Sequence, residues 1–293
     1  MSRALGESFD LGGWRFAIPV NAHQPSSYLR REVAGRAVAA LEGKGGAPFR
    51  RSRHATTWKV QITDSTGAPA NIFVKQLDLA QGLVARAKAM LRIKRSEQVL
   101  RISEALRRDN FGVPDVLLIG ENLATGSEVI VMAEAPGLML TRWMNPWHRT
   151  DALMRRAILK QLGAEVGRLH LSGYIHGDLT PYNIFATGSH PIAITFIDHE
   201  GTGKTSALSI NLARNRLRNL VQLGHFDIPG VSRTDRLRFF TRYAAARGLA
   251  KSASRQSLVR LIKMIERRRR RDRSLKRAAT QPAIIVEEGA VRG

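Results

Sequence analysis

Three oxygen-bearing side chains, separated by short apolar segments, constrain this chain more than any other feature. Asp178 and Asn183 share the loop sequence His-Gly-Asp-Leu-Thr-Pro-Tyr-Asn, and Asp198 ends the apolar run Ile-Thr-Phe-Ile-Asp. Asp and Asn are common turn residues, so this spacing alone also fits an ordinary loop. The same oxygens are the ligands that Mg²⁺ takes when it binds with phosphate groups. The spacing predicts a phosphoryl-transfer site in which Asp178 orients the acceptor hydroxyl while Asn183 and Asp198 hold Mg²⁺.

The sequence flanking this loop favours the phosphotransferase interpretation over a chance turn. Residues 162–171 carry apolar side chains at helical spacing, and Ser172-Gly173 follows as a helix stop. An apolar pair then precedes His-Gly-Asp, and a second apolar pair follows Asn183. This order of segments predicts an α+β, two-lobed protein-kinase-like fold.

The rest of the chain fits that arrangement, because a strand-rich part precedes a helix-rich part. Alternating apolar residues predict strands over residues 56–62, 71–77, 115–120 and 128–133. Residues 28–41 fit either a short helix or a first strand. Helical periodicity covers residues 82–108, 151–172, 207–223, 233–248 and 254–271.

These patterns divide the chain into four expected segments. Residues 1–27 are predicted to be irregular, because Gly12-Gly13, Pro19 and Pro25 interrupt them. A nucleotide-binding N-lobe with one main helix is expected over residues 28–135. A helical C-lobe carrying the catalytic and acceptor-binding groups is expected over residues 136–265. Residues 266–293 are expected to form a basic tail that is disordered after about Lys276.

A phosphate-binding lysine and its carboxylate partner are expected in the N-lobe. Lys75 lies near the end of an apolar strand, where a lysine can reach the α- and β-phosphates of ATP. Glu97 and Glu104 lie two helical turns apart on the following helix, so either could hold Lys75. We prefer Glu97, because it is closer to Lys75 along the chain. Lys75 could also be an exposed edge lysine, and both glutamates could be solvent-facing partners of arginine.

The loop that covers the phosphates is not identified by the sequence. Gly43-Lys-Gly-Gly46 lacks the spacing of a kinase glycine-rich loop. The turn at residues 51–55, directly before the predicted strand, is equally well placed. Backbone N–H groups or arginine side chains could cover phosphates in either segment.

The charge balance points to an anionic partner. The formal net charge is +23, and much of it lies in residues 84–108 and 267–277. Such an excess suits nucleic acid, an anionic membrane surface or a polyanionic substrate, although a charge run can also be a solvated face. The chain has no cysteine, which excludes disulfide scaffolds and thiol nucleophiles. Its first residues do not form a secretory signal, and no apolar window is long enough to predict a membrane-spanning helix.

With these residues in place, the chain resembles the bacterial lipopolysaccharide kinase family (Kdo/WaaP type) over about residues 50–249. The resemblance rests on the His-Gly-Asp loop with Asn183, on Phe196-Ile-Asp198-His, and on two later segments, Arg216-Leu-Arg-Asn-Leu220 and Ser232-Arg-Thr-Asp235-Arg-Leu-Arg-Phe239. It implies ATP and Mg²⁺ as cofactors and a sugar hydroxyl of the lipopolysaccharide inner core, on Kdo or heptose, as the acceptor. Asp178 would be the catalytic residue, Lys75 and Glu97 would bind the nucleotide, and Asn183 and Asp198 would bind the metal.

The sequence departs from protein kinases at two positions in these motifs. His199-Glu200 follows the metal aspartate where protein kinases have Phe-Gly, and Gly177 replaces an arginine that reads phosphates on the activation loop. We therefore expect constitutive activity.

The resemblance also implies an anionic partner that would account for the excess positive charge. A lipid-linked core oligosaccharide is acidic and lies on the cytoplasmic face of the bacterial inner membrane during synthesis, so we expect a peripheral, cytoplasmic protein. The stretch 82–95 has an apolar stripe beside four basic residues, Arg86, Lys88, Arg92 and Arg95. This pattern fits an amphipathic helix at the membrane interface, and it fits equally a helix whose apolar stripe packs on the sheet.

Two other functions stay open at this point. One is a small-molecule kinase of the aminoglycoside or choline type, against which the basic excess argues. The other is a catalytically silent kinase fold that binds membrane or nucleic acid, against which the retained site residues argue. Specific nucleic-acid binding is not expected, because the basic segments lack interleaved aromatic residues. The oligomeric state is not readable from the sequence.

Overall fold

The computed structural model describes residues 5–20, 27–52, 55–64, 66–77, 94–145, 151–206, 209–226, 228 and 230–280. Its largest element is a seven-stranded antiparallel sheet. The strands are β1 (Leu5–Leu11), β2 (Trp14–Pro19), β3 (Arg50–Arg51), β4 (Ala55–Thr63), β5 (Pro69–Leu77), β6 (Val116–Asn122) and β7 (Glu128–Ala133). Their order in the sheet is β1-β2-β6-β7-β5-β4-β3. All four strands predicted from alternation are present in this sheet.

The first hairpin corrects the expectation that residues 1–27 are irregular. Gly12 and Gly13 have φ angles of 57° and 76°, and they connect β1 to β2. A two-residue hairpin turn of this kind needs positive φ at both positions, which glycine adopts without strain. Trp14, Phe16 and Ile18 then alternate into the core. The glycines are therefore a turn signal between two strands rather than a sign of irregular chain.

Helices cover both faces of this sheet. Helix α1 (Ser27–Leu41) buries Val33, Ala34 and Ala37 against the face that includes Phe16. Helix α2 (Arg95–Arg108) buries Val99 and Leu100 against the opposite face. Because successive residues of a strand point to opposite faces of the sheet, each central strand contributes side chains to the core under α1 and to the core under α2.

Two sequence expectations about helices concern these elements. Residues 28–41 form a helix and not a strand. The predicted helix over residues 82–108 is confirmed from Arg95 onward, while residues 78–93, and with them most of the proposed interfacial stretch 82–95, lie outside the described residues.

The second half of the chain is helical, as predicted. Its helices are α3 (Leu140–Trp143), α4 (Ala152–Leu171), α5 (Leu212–Gly224), α6 (Arg233–Ala246) and α7 (Lys251–Thr280). Short strands β8 (Leu138–Met139), β9 (Tyr174–Ile175), β10 (Ile184–Ala186), β11 (Ile194–Phe196) and β12 (Gly203–Lys204) frame the predicted catalytic segment. Helices α4 and α6 approach each other closely at Gly163. A Cβ atom at this position would lie only 2.3 Å from the Phe239 carbonyl oxygen, so there is room only for glycine.

Helix α7 corrects the expectation of a basic tail from residue 266. The helix continues through Arg267–Arg271 to Thr280, and residues 281–293 lie outside the described residues. Arg269 has a structural role within it: its guanidinium donates to the carbonyl oxygens of His225 (2.9 Å) and Phe226 (3.1 Å) just beyond α5. Arg236 donates to the Gly224 carbonyl at the same helix end, so two arginines satisfy carbonyl groups there. None of the described helices is long and apolar enough to cross a membrane.

Candidate active site

The predicted catalytic segment forms a short loop between β9 and β10. Helix α4 ends before Gly173, whose φ of 83° turns the chain into β9. The loop then closes in a 3₁₀ turn over Pro181–Asn183. Asn183 is buried, and its Nδ2 donates to the Asp178 backbone oxygen (2.9 Å) and to Asp178 Oδ2 (3.0 Å). Two of the residues chosen from the sequence are therefore held together by direct hydrogen bonds.

His176 fixes the backbone of this loop. Its Nδ1 accepts a hydrogen bond from the Asp178 backbone N–H (3.1 Å), so the ring proton must be on Nε2, which donates to the Ile197 carbonyl oxygen (3.0 Å). Burial lowers the pKa of His176 below its ordinary value. A neutral imidazole thus ties the Asp178 loop to the residue that precedes Asp198.

A buried polar network below the loop was not predicted. Asn219 on α5 accepts from the His176 backbone N–H (3.0 Å) and donates to the His176 backbone oxygen. Its Oδ1 also accepts from His170 Nε2 (3.2 Å), so His170 Nδ1 accepts from the Tyr243 hydroxyl (3.1 Å). Burial lowers the pKa of His170 to about 3. The Arg-Asn-Leu segment on α5 was noted in the sequence as a family pattern, but not as the support of the loop.

Asp198 lies two residues after β11 in an unusual backbone conformation. Its φ and ψ are 68° and 60°, which is the left-handed region that non-glycine residues rarely adopt. Such strain persists only where the surroundings fix it, and it is common at functional sites. The following His199 supplies part of that fixation, because Nε2 donates to the Phe196 carbonyl oxygen (2.9 Å) and Nδ1 accepts from Thr202 (3.3 Å). Burial lowers the pKa of His199 to about 3.

Lys75 reaches Asp198 from the N-lobe sheet. Its Nζ donates to Asp198 Oδ1 at 2.7 Å. Burial would raise the pKa of Asp198, but nearby positive charge, chiefly the Lys75 ammonium, holds this pKa below its ordinary value. Burial would likewise lower the pKa of Lys75, and the carboxylates of Asp198 and Glu200 outweigh it and raise that pKa. Both groups are therefore charged at neutral pH.

The expectation that Glu97 pairs with Lys75 was wrong. Lys75 pairs with Asp198 and with Glu200, whereas Glu97 pairs with Arg101 one helical turn away (3.3 Å). Glu97 lies in the first turn of α2, whose buried side includes Ser96, Val99 and Leu100. Glu104 does not pair with Lys75 either. Its Oε1 is buried without a hydrogen-bond partner among the described residues, and burial raises its pKa.

These groups line a cleft between the sheet and the helical part. The cleft of about 290 Å³ contains Lys75, Asp178 and Asp198. Its upper wall comes from the β3–β4 hairpin, namely Arg50, Ser52, Ala55 and Thr57. Of the two segments considered for covering phosphates, only the one at residues 51–55 contributes described residues to this cleft, namely Ser52 and Ala55. Ser52 fixes the hairpin, because its Oγ accepts from the Ala55 backbone N–H (3.0 Å).

Gly177 explains why the loop has no arginine after its histidine. A Cβ atom at Gly177 would lie 2.4 Å from the Gly201 Cα atom, closer than real Cβ contacts allow. The two glycine backbones therefore touch at the floor of the cleft. The replacement of arginine is thus a packing requirement of this chain.

The donor set fits Mg²⁺ bound together with nucleotide phosphates. Asn183 uses its Nδ2 for Asp178, which leaves its Oδ1 without a hydrogen bond from the described residues. Asp198 adds a charged carboxylate at the cleft wall. The described residues contain no cluster of three or more His, Cys, Asp or Glu placed for a metal. Mg²⁺ in nucleotide sites needs only one or two protein carboxylates, because phosphates and water complete its shell.

Comparison with known proteins agrees with this geometry. The lipopolysaccharide kinase (Kdo/WaaP) family matches residues 40–243, a range that includes Lys75, the loop, Asp198 and Asn219. A solved structure of WaaP in complex with acyl carrier protein superposes with a TM-score of 0.58 at 20% identity. It covers 85% of this chain and 99% of that chain, which shows a shared kinase-like fold.

Two curated relatives match smaller parts of the chain. The EKC/KEOPS complex subunit BUD32 of Encephalitozoon cuniculi is 39% identical over 105 residues, covering 36% of this chain and 46% of the relative. A probable serine/threonine-protein kinase BUD32 homolog of Archaeoglobus fulgidus is 29% identical over 137 residues, covering 47% and 55%. The chain thus spans about half the length of these curated relatives. The family match extends over more than half of the chain, and the protein is a kinase-like member of the lipopolysaccharide kinase (Kdo/WaaP) family.

Proposed function

We propose that this protein is an ATP-dependent kinase that phosphorylates a sugar hydroxyl, on Kdo or heptose, of the lipopolysaccharide inner core. The observation that carries the proposal is the cleft in which Asp178, Asp198 and Lys75 converge, within the segment that matches the family. All three charged groups that a phosphoryl transfer requires are thus in one place.

Each residue has a distinct part in the proposed reaction. Lys75 binds the α- and β-phosphates. Asn183 Oδ1 and the Asp198 carboxylate would hold Mg²⁺, which would neutralise charge on the phosphates when bound. Asp178 orients the acceptor hydroxyl toward the γ-phosphorus and accepts its proton as the new P–O bond forms and the bond to the ADP oxygen breaks. Because the transition state is loose, positioning and charge neutralisation dominate. The Asn183 hydrogen bond to Asp178 Oδ2 keeps that carboxylate oriented.

A direct test compares acceptors on one purified protein. Lipopolysaccharide core, an aminoglycoside, choline and a generic protein substrate are each incubated with radiolabelled ATP. Label on the core sugar alone supports the proposal, whereas label on a small cation or on protein would replace it with the corresponding kinase. The Asp178→Asn variant is the control for contaminating kinases. Mass spectrometry of the core from cells with and without the protein then locates the phosphate.

A peripheral position on an anionic membrane, at the cytoplasmic face of the inner membrane, is part of the same proposal. Exposed side chains on α7 support it. Val259 and Ile262 are exposed on this helix, and exposed basic residues occupy the same stretch of it: Arg255, Arg260, Lys263 and Arg267. Apolar groups beside cations suit the interface of an anionic bilayer. Each basic residue near such a surface contributes roughly 1 kcal/mol.

Helix α7 provides a matched pair of variants for the membrane proposal. Arg267, Arg270 and Arg271 are exposed, whereas Arg269 is bound to carbonyl groups beyond α5. Changing the three exposed arginines to Gln should weaken sedimentation with anionic vesicles at low salt and leave thermal stability unchanged. Arg269→Gln should lower stability instead. Vesicle binding that is absent in the unmodified protein, or insensitive to salt, would contradict the proposal.

A further inference from the structure

The carboxylate that holds Lys75 comes from the turn after Asp198. Lys75 lies between Asp198 and Glu200, and its side chain is only 15% exposed. Glu200 makes a second ion pair, with Arg95 at the start of α2. Lys75 and Arg95 therefore share the two oxygens of one carboxylate, Lys75 on Oε1 and Arg95 on Oε2.

The position of Glu200 is fixed from both sides along the chain. On one side, His199 is anchored by the Phe196 carbonyl and by Thr202. On the other side, Gly201 packs against Gly177 with no room for a side chain between them. The 3₁₀ turn over His199–Gly201 is thus held by contacts on both sides of Glu200, whose side chain reaches Lys75 of the sheet.

Arg95 is held just as firmly. Glu128 on β7 accepts hydrogen bonds from the backbone N–H groups of Arg95 (3.2 Å) and Ser96 (2.7 Å). A carboxylate at this position satisfies free N–H groups and complements the positive end of the helix. The start of α2 is consequently tied to the sheet, and Arg95 reaches Glu200 from a fixed point.

We propose that Glu200 is the positioning residue for Lys75, and that Arg95 links helix α2 to the phosphate site through Glu200. This inference rests on the proposed kinase function. Asp198 would hold Mg²⁺ in the proposed reaction, and its carboxylate would then be shared with the metal. Glu200, which is not a proposed metal ligand, would remain available to Lys75. Glu200, two residues after the proposed metal ligand Asp198, therefore has the role that was predicted for Glu97 on helix α2.

The proposal predicts different effects for three carboxylates. Glu200→Gln keeps the side-chain shape and removes the charge, so the KM for ATP should rise on the order of tenfold, as expected for loss of a charge-assisted hydrogen bond. The KM for the acceptor should not change, since Glu200 acts on the nucleotide side. Glu97→Gln should leave both values unchanged. Glu134→Gln is a further control, because Glu134 pairs with Lys59 on the same sheet.

Direct binding of a fluorescent ATP analogue with Mg²⁺ makes the test independent of turnover. Affinity should fall in Glu200→Gln and, to a smaller extent, in Arg95→Gln. The double variant should be no weaker than Glu200→Gln, because both residues act through the same carboxylate. Thermal melts show whether a loss reflects unfolding, and Glu200→Asp should restore part of the affinity if position and charge are what matter.

The outcomes separate this inference from the proposed function. If the unmodified protein binds no nucleotide, the kinase proposal itself fails. If it binds nucleotide and Glu200→Gln binds equally well, only the role of Glu200 is overturned. A loss in Glu97→Gln that matches the loss in Glu200→Gln would return the helix carboxylate to the role predicted from sequence.

Discussion

Replacement of Asn219 by Leu should destabilise the protein and disorganise the Asp178 loop. Three buried groups would lose their partner: the His176 N–H, the His176 carbonyl oxygen and His170 Nε2. Each unsatisfied buried group costs about 1–3 kcal/mol, so the three together cost about 3–9 kcal/mol. The apolar Leu side chain offsets roughly 2 kcal/mol by its burial. We therefore expect a net loss near 4 kcal/mol, within a range of about 1–7 kcal/mol.

Urea unfolding followed by circular dichroism measures this loss as a shift of the midpoint at unchanged slope. Asn215→Leu is the matched control, because Asn215 lies one turn earlier on α5 and its side chain has no hydrogen bond to the described residues. It should shift the midpoint little. A loss below about 1 kcal/mol in Asn219→Leu, equal to that of the control, would refute the idea that this network supports the loop.

Three further predictions concern the cleft and the buried histidines. Asp178→Asn should reduce turnover by about 10²–10⁴-fold and leave Mg²⁺-ATP affinity nearly unchanged, because Asp178 faces the acceptor; comparable turnover would contradict its role. Asp198→Ala should weaken nucleotide binding in the presence of Mg²⁺, and an unchanged titration would make Asp198 an ordinary residue of the cleft wall. His170 and His199 each have a pKa of about 3 in the folded protein, below the value of about 6.5 in the unfolded chain. Their contribution to the free energy of unfolding is therefore complete above pH 6.5 and is lost as the pH falls toward 3. Urea midpoints at pH 7, 5 and 4 should fall in that order, and His170→Gln should flatten the dependence.

Local sequence patterns were enough to predict the parts of this protein whose contacts lie within one segment. Alternating residues of β4 to β7 and helical periodicity in α4 to α6 each follow from side-chain direction within one element. The Asp178–Asn183 contact is also local, since both residues belong to one short loop. The hairpin β1–β2 is encoded locally as well, because Gly12-Gly13 supplies the two positive φ angles of its turn.

Contacts between segments that are far apart in the chain depend on how the helices and the sheet pack together. Glu97 and Glu104 looked suitable for Lys75 because both lie on the next helix, yet Glu200, from the other half of the chain, occupies that position. Arg269 in a run of arginines was indistinguishable from its neighbours until α7 was packed beside α5. A periodic pattern states which side of an element is buried, but not which distant element covers it. The partner of a charge is therefore set by packing, and only the folded chain identifies it.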